Sequence, residues 1–561
     1  MSQNLSAAKS ARTISIATLA SRILGFVRDM LMASIFGATF YSDSFLVAYR
    51  IPNLLRRLFG EGALNSSFIP VFVKSKARDP QKAQQLATNV FWVLLIILII
   101  VSVMGVVFSE EIVKVMTFSF SDSQAGVSTL SAPHNSAGQT DSQTALQTLS
   151  QTGVTGPELA IKLTKIMFPY ILFICLAALG MGYLNSFSSF FIPALSPVLL
   201  NISMIGYLYF IGAGLDSSPE SMEAKCTSLA WAVMAGGLMQ FLIHIPPMRK
   251  RGFRFFPFTG FADPLIKQIA LLMAPAALGL AVSQLNIFVD TVLAWQLGAG
   301  AVSALYYSNR LVQLPLAIFG IAVSTAFLPI FSKAAISKNP KDLIDSFSYA
   351  LRTVMFITFP AAAGLITAGG PIIKLLFLRG KFTLTGAVST EHALICYASG
   401  LFFFAAINLT VKIFYSLELP EYPVRAGIYS MILNIVLNLI LMIPLGHAGL
   451  ALATSIAAFF NLSLLLIRFK KIKGHIMGRV LLKSFLRIFS SSLIMGLAVY
   501  AVKTSFPVYT DQAAAKALIT GLLITTGIIT YYICVKLLKC PELQIFKSLM
   551  IPERFHNNRY I

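Results

Sequence analysis

The sequence is poor in charge. Asp, Glu, Lys and Arg make up 12% of its 561 residues, about half of what ordinary soluble domains carry. Acidic residues are the scarcer kind, 22 against 44 Lys and Arg, which leaves a formal net charge of +22. The length would hold roughly three or four soluble domains, but too little charge is present to clothe them. The five cysteines, Cys175, Cys226, Cys396, Cys534 and Cys540, are odd in number and scattered, with no CxxC pair or His cluster. That excludes a disulfide framework and a structural zinc site. No GxxxxGK[ST] loop is present, so the chain supplies no ATP site of its own. HExxH, GxSxG and paired-carboxylate motifs are also missing, so no catalytic residues are assigned and an enzyme is not expected. The N-terminus has basic residues but no small-residue cleavage site, so it reads as the start of a retained helix.

Apolar residues are abundant: the hydrophobic fraction is 56% before the 36 glycines are counted, and the mean hydropathy is +0.76. Ordinary domains reach about 45–50% with glycine included. The solvent for most of this chain is therefore lipid. In that setting a basic excess reports topology and a phospholipid bilayer rather than nucleic acid. Spans of roughly 20 apolar residues are predicted near 12–37, 41–72, 86–109, 159–185, 189–213, 226–248, 266–297, 301–332, 345–368, 387–416, 424–445, 448–468, 481–503 and 514–537. Basic residues follow the even-numbered spans: Lys74, Lys76, Arg78 and Lys82; Arg249, Lys250, Arg251 and Arg254; Lys333, Lys338 and Lys341; Arg468, Lys470, Lys471 and Lys473. The tail adds Lys539, Lys547, Arg554 and Arg559. Both termini are thus expected in the cytoplasm. The segment around Lys374, Arg379 and Lys381 breaks the pattern and is expected to be a short interfacial helix.

An internal repeat organises these spans. Phe68-Ile-Pro-Val-Phe72 recurs as Phe327-Leu-Pro-Ile-Phe331, and Phe26-Val-Arg-Asp29 with Phe36-Gly37 echoes Phe288-Val-Asp290 with Leu297-Gly298. Both matches are offset by about 260 residues, with six spans between the copies, so the halves have the same orientation. The expected fold is an all-α polytopic membrane protein of about 14 transmembrane helices. It comprises two six-helix lobes in a parallel pseudo-twofold repeat, 1–255 and 256–474, plus two extra C-terminal helices in 475–561. Such a repeat frames a central cavity, the architecture of a transporter.

Charges stranded in the spans are the candidate site, because each costs about 2.5–3.5 kcal/mol at mid-bilayer. The first span carries Arg22, Arg28 and Asp29; Arg22 and Asp29 share a face across Gly25, and Arg28 points away from them. The second carries Asp43, Arg50, Arg57 and Glu61 in one stripe, with Arg56 on the neighbouring face. The eighth carries Arg310. Arginines exceed the nearby acids and cannot shed their charge, and guanidinium grips phosphate through paired donors. An anionic ligand is expected. Arg57–Glu61 also reads as a structural i,i+4 pair, and Asp43 and Arg50 as interfacial charges. In the second half, Asp290, Asn434, Asn438 and Thr454 offer a candidate Na⁺ site; interhelical hydrogen bonding explains them equally well.

SRILGFVRDMLMASIFG, SDSFLVAYRIPNLLRRLFGEGALNSSFIPVF, IPALSPVLLNISMIG and YYSNRLVQLPLAIFGIAVSTAFLPIF resemble the signature of the MurJ (MviN) family of lipid II flippases, within the MOP exporter superfamily. The resemblance spans nearly the whole chain. It implies a monomer in the bacterial inner membrane that flips lipid II, the undecaprenyl-diphosphate-linked peptidoglycan precursor, outward by alternating access. Cell-wall synthesis and division proteins are its implied protein partners. The implied cavity residues are Arg22, Arg28, Asp29, Arg56 and Arg310, with Arg28 and Arg56 nearest the diphosphate and Asp43, Arg57 and Glu61 in support. The two extra helices would hold the lipid tail. Na⁺ or the membrane potential is the implied coupling source, although Asn438 stands where the family has a carboxylate and Asn309 where it often has an acid. Competing readings are another MOP-type exporter of lipid-linked oligosaccharides or drugs, and a non-transporting cell-wall scaffold. A drug exporter for cations should line its cavity with acids.

Overall fold

The computed structural model describes residues 2–57, 63–118, 155–210, 218–258, 260, 263–336, 340–474, 478–505 and 512–544. Among them every regular element is helical. They pack as two compact units, Met1–Ser303 with Arg379–Thr383, and Ala304–Leu378 with Leu384–Ile561.

The first unit holds α1 (Ser2–Phe36), α2 (Phe40–Leu55), α3 (Asn65–Arg78), α4 (Pro80–Val107), α5 (Ser109–Met116), α6 (Gly156–Met167), α7 (Tyr170–Asn185), α8 (Phe191–Phe210), α9 (Pro219–Leu242), α10 (Ile245–Lys250), α11 (Pro264–Gln296) and the first turn of α12 (Ala301–Pro315). The second holds the rest of α12, a π-helical segment (Leu316–Ile321), α13 (Ala322–Ile336), α14 (Pro340–Leu376), α15 (Leu384–Ser399), α16 (Leu401–Ser416), α17 (Glu421–Leu445), α18 (His447–Lys473), α19 (Arg479–Ser505) and α20 (Ala513–Leu537).

Local sequence marks the helix ends. Asp79, Ser218 and Asp263 cap α4, α9 and α11 with side-chain oxygens, each followed by a proline in the first turn; proline lacks the donor that would go unused there. Gly37, Gly298, Gly446 and Gly474 follow α1, α11, α17 and α18 with positive φ, the left-handed stop that favours glycine. Among the described residues, eight helices are long and apolar enough to cross a membrane, or up to 11 when each of three bent pairs counts as one span. The expectation of about 14 is consistent with these. Among the helices outside the eight and the bent pairs are α1, α2 and α12, which carry Arg22, Arg28, Asp29, Asp43, Arg50 and Arg310. The interfacial helix expected near Lys374 is instead the end of the 37-residue α14. Pro371 sits within that helix without ending it.

The FxPxF repeat has the same local structure in each unit. Phe68 and Phe72 on α3 are buried with their rings 5.2 Å apart, and Phe327 and Phe331 on α13 are buried at 5.9 Å. Each motif carries its proline inside the helix.

Two connections in the first unit are fixed unusually well. Residues 251–258 and 260 lie along α4. Gln84 Nε2, Thr88 Oγ1, Trp92 Nε1 and Asn89 Nδ2 donate to the carbonyls of Arg251 (3.4 Å), Arg254 (2.5 Å), Phe256 (3.1 Å) and Gly260 (3.2 Å). Phe253 and Phe255 add edge-on contacts to Phe91. The second is a hook at the end of α1, where the Lys381 N–H donates to Ser34 O at 2.8 Å. A Cβ on Gly37 would stand 2.4 Å from Lys381 O, and one on Gly380 2.1 Å from Ser34 O. Both glycines also have positive φ, so no larger residue fits.

Candidate substrate site

Arg28 is the most enclosed of the expected arginines. Its Nε and Nη2 both donate to Asp29 Oδ1, at 3.0 and 2.7 Å, and Nη1 donates to Asn201 Oδ1 at 3.1 Å. The two charged side chains are 7% and 1% exposed. Asn201, on α8, in turn donates to Ser21 O at 3.0 Å. One amide thus ties α8 to α1 while its oxygen helps to hold the guanidinium. The pairing joins Asp29 to Arg28 rather than to Arg22. Neighbouring helical residues do not normally face each other; the length of the arginine closes the gap. Arg22, two turns earlier, is exposed while Asp29 is buried. Gly25 lies under Asn201, but a Cβ there would meet it only at an ordinary 3.6 Å.

On α2, Arg56 is half-buried and its Nε donates to Asn53 Oδ1 at 3.0 Å, one turn back. Arg57 is exposed. Glu61, and with it the expected Arg57–Glu61 pair, lies outside the described residues.

Asp43 has a different surrounding. It is 2% exposed, and its carboxylate accepts from the Gly300 N–H at 2.6 Å, the Ser303 N–H at 2.8 Å and the Ser303 hydroxyl. A carboxylate at the N-terminus of α12 satisfies donors that the helix cannot, and its charge complements the helix dipole. Ser42 Oγ lies 2.7 Å from Ser303 Oγ beside it. Asp43 therefore latches α2 to the start of α12.

In the second unit, Arg310 donates from Nη2 to Tyr306 Oη at 2.9 Å, with its guanidinium carbon 5.0 Å from that ring's centroid. Asn434, Asn438 and Thr454 do meet. Asn438 Nδ2 donates to Asn434 Oδ1 at 3.0 Å, and Asn434 Nδ2 to Thr454 Oγ1 at 3.4 Å. Both asparagines are buried. Asp290 belongs to the first unit, where Asn286 Nδ2 donates to its Oδ2 at 3.4 Å. No group of three or more His, Cys, Asp or Glu side chains placed to hold a metal occurs among the described residues. The amide and hydroxyl oxygens of the three-residue cluster are of the hard type that suits Na⁺, and two of them, Asn434 Oδ1 and Thr454 Oγ1, accept hydrogen bonds inside the cluster.

The second unit also contains a groove of about 630 Å³, lined almost wholly by apolar groups of α14, α19 and α20. Phe356, Pro360, Gly364, Ala368 and Ile372 repeat along one face of α14. Gly364 leaves the width open, and Gly527 lets α20 pack closely on Val499 of α19.

Two of these features were not singled out from sequence. Asn201 is a lone amide in an apolar helix, and that solitude was the available signal. The Gly300 and Ser303 donors carry no sequence signal, because any helix start offers free N–H groups.

The comparisons bear on the arrangement as a whole. A sequence profile described as Lipid II flippase MurJ matches residues 32–131 and 146–517. A Vibrio cholerae protein named probable lipid II flippase MurJ is 36% identical over 459 residues, 82% of each chain. The Burkholderia cenocepacia protein named lipid II flippase MurJ is 33% identical over 469 residues, covering 82% of this chain and 83% of its own. Among solved structures, lipid II flippase MurJ in an inward closed conformation matches with a TM-score of 0.74 at 26% identity, over 96% of this chain and 99% of that one. An inward-facing MATE multidrug transporter of the MOP superfamily shares the fold, with a TM-score of 0.59 at 14% identity over 85% and 98%. The family profile and the MurJ structure define a polytopic membrane transporter, not an enzyme. Within that class, the chain belongs to the MurJ family of lipid II flippases.

Proposed function

We propose that this protein turns lipid II from the cytoplasmic to the periplasmic leaflet of the inner membrane by alternating access. The observation that carries the reading beyond family membership is the groove on α14, α19 and α20. Its lining is apolar over several helical turns, which suits a polyprenyl tail and no water-soluble cargo. The diphosphate, sugars and peptide of such a ligand need a polar, water-filled path of their own, and arginines supply it.

Arg28 and Arg56 are the proposed diphosphate ligands, with Arg22 and Arg310 lining the path. Arg28 engages the ligand by exchanging one anion for another: the phosphate takes the place of Asp29 on the guanidinium. Asn201 keeps the side chain aimed while that exchange occurs. Arg57, Asp43 and Glu61 support the site, Asp43 through its latch to α12. Both termini are proposed to face the cytoplasm, and the chain is divided into lobes at 1–255 and 256–474 followed by the tail-holding 475–561. The protein is proposed to act as a monomer alongside cell-wall synthesis and division proteins.

Moving an anion outward across an inside-negative membrane is favourable by about 2.3 kcal/mol per charge per 100 mV, so the membrane potential is the proposed driving force. Na⁺ held by Asn434, Asn438 and Thr454, with Asp290, is an accessory. The test is complementation in a strain depleted of its own flippase. Arg28→Ala and Arg56→Ala, at normal membrane abundance, should fail to restore growth, and growth on both variants would refute the assignment. In vesicles, collapse of the potential should slow flipping; unchanged flipping would remove the potential from the mechanism.

A further inference from the structure

At the end of α20 the lining of the groove continues past the helix through an unusual turn. Along α20 the lining runs through Gly527, Tyr531 and Val535, then passes to Leu543 beyond the helix. Tyr531 Oη donates to Phe356 O at 2.7 Å, closing α20 onto α14 beside this end. The helix stops at Leu537, and the chain reverses through Lys539, whose φ is +50. The Cys540 N–H donates back to Val535 O at 3.0 Å, the bond pattern of a helix stop that usually employs glycine. A lysine rarely adopts that left-handed conformation, so outside support for the turn is informative.

Support comes from a buried carboxylate. Glu542 is 1% exposed; its Oε1 accepts from Ser484 Oγ on α19 at 2.6 Å and lies 3.5 Å from Arg352 Nη1 on α14. From α19, Arg487 Nη1 also donates to Lys539 O at 3.1 Å. Burying a carboxylate is costly unless it is paired and hydrogen-bonded. A turn that merely ended a helix would have no use for it. Here the acid pins the turn to the two helices that form the other walls of the groove, and its neighbour Leu543 is thereby held in the lining.

We propose that Glu542 is a positioning residue that sets the length of polyprenyl tail the protein accepts. It does so by fixing Leu543 and the end of α20 as the closed end of the groove. This rests on the reading of the groove as the tail site. With the pin in place, a tail is gripped best when it fills the groove to the wall. With the pin removed, the turn relaxes and the wall opens. Tails too long for the intact groove then run past it, and the contact that favoured the fitting length is lost.

The experiment is flipping in proteoliposomes with a series of lipid II analogues that differ only in tail length. Wild type should show a maximum at one length. Glu542→Ala and Arg352→Met should flatten the profile, narrowing the ratio between fitting and over-long tails by about tenfold, the scale on which apolar pockets discriminate. The exchange Arg352→Glu with Glu542→Arg should restore part of the maximum. Leu543→Ala shortens the wall without disturbing the buried charge and should shift the maximum to longer tails. An unchanged profile, or a loss equal for every tail, overturns the proposal. A wild-type protein that flips analogues regardless of whether they carry a polyprenyl tail refutes the tail-site reading instead.

Discussion

Replacing Asp29 by Asn should make the protein less stable and a better binder at the same time. The carboxylate takes two N–H groups of Arg28 on one oxygen, at 3.0 and 2.7 Å, with both side chains almost fully buried. Removing one partner of a buried pair costs about 3–5 kcal/mol, because the remaining charge is left without compensation. An asparagine oxygen still accepts one bond, and Asn201 still accepts another, so the loss should fall near the lower end, about 3 kcal/mol. The affinity should move the other way. In the proposed exchange, phosphate reaches Arg28 by displacing Asp29, and a charge-assisted bond of that kind is worth about 1.5–3 kcal/mol. Relieved of that cost, the variant should bind a polyprenyl diphosphate about tenfold to a hundredfold more tightly. Thermal unfolding in lipid nanodiscs reads the first effect, and equilibrium binding in the same discs reads the second. Asn201→Ala should move both quantities in the same directions by a smaller amount, since it removes only one acceptor from Arg28. A fall in affinity that accompanies the fall in stability would refute the exchange of Asp29 for phosphate.

Asp43→Asn removes the charge from the start of α12 and leaves one oxygen for the Gly300 and Ser303 donors; a loss of about 2 kcal/mol is expected. Amide exchange at Ser303 should quicken by at least tenfold, and protection equal to wild type would show that the latch contributes nothing. Gly364→Phe should fill the tail groove, because a Cβ there meets only the end of Met495, at 4.0 Å. Binding of a long polyprenyl diphosphate should drop about tenfold while a tail-free headgroup analogue binds as before; equal losses would mean that the substitution had damaged the whole unit.

What sequence revealed here was what repeats or what is out of place in lipid. The FxPxF motifs announced a duplicated unit, and both copies fold as proline-containing helices with paired, buried phenylalanines. Stranded arginines pointed to α1, α2 and α12. Their partners were less legible, for a physical reason. Arg28 meets Asn201 across 173 residues of chain, and no local period encodes a contact at that range. The helical wheel set Asp29 beside Arg22, whereas side-chain length decided for Arg28. Asp43 looked like an interfacial charge because its true partners are mostly backbone groups, which look alike at every position. The segment around Lys374 looked like a separate helix because its charges interrupt an apolar run; Lys374 instead sits in the last turn of α14, and Arg379 and Lys381 follow in the turn beyond it.

The bonds between α4 and residues 251–260 determine where this chain can be divided. A protein made of duplicated halves invites expression as two pieces, and the connection after α10 is the obvious place to cut. Those residues are nonetheless a fitted part of the first half, held by four side-chain donors of α4. Cut before Arg251, the strap would travel with the second fragment and have to find α4 from solution. The advantage of being tethered, an effective concentration in the millimolar range for a short connection, would be gone. Cut after Gly260, the first fragment keeps its own seam. Reassembly of an active protein from two co-expressed fragments should therefore depend on a shift of ten residues in the break.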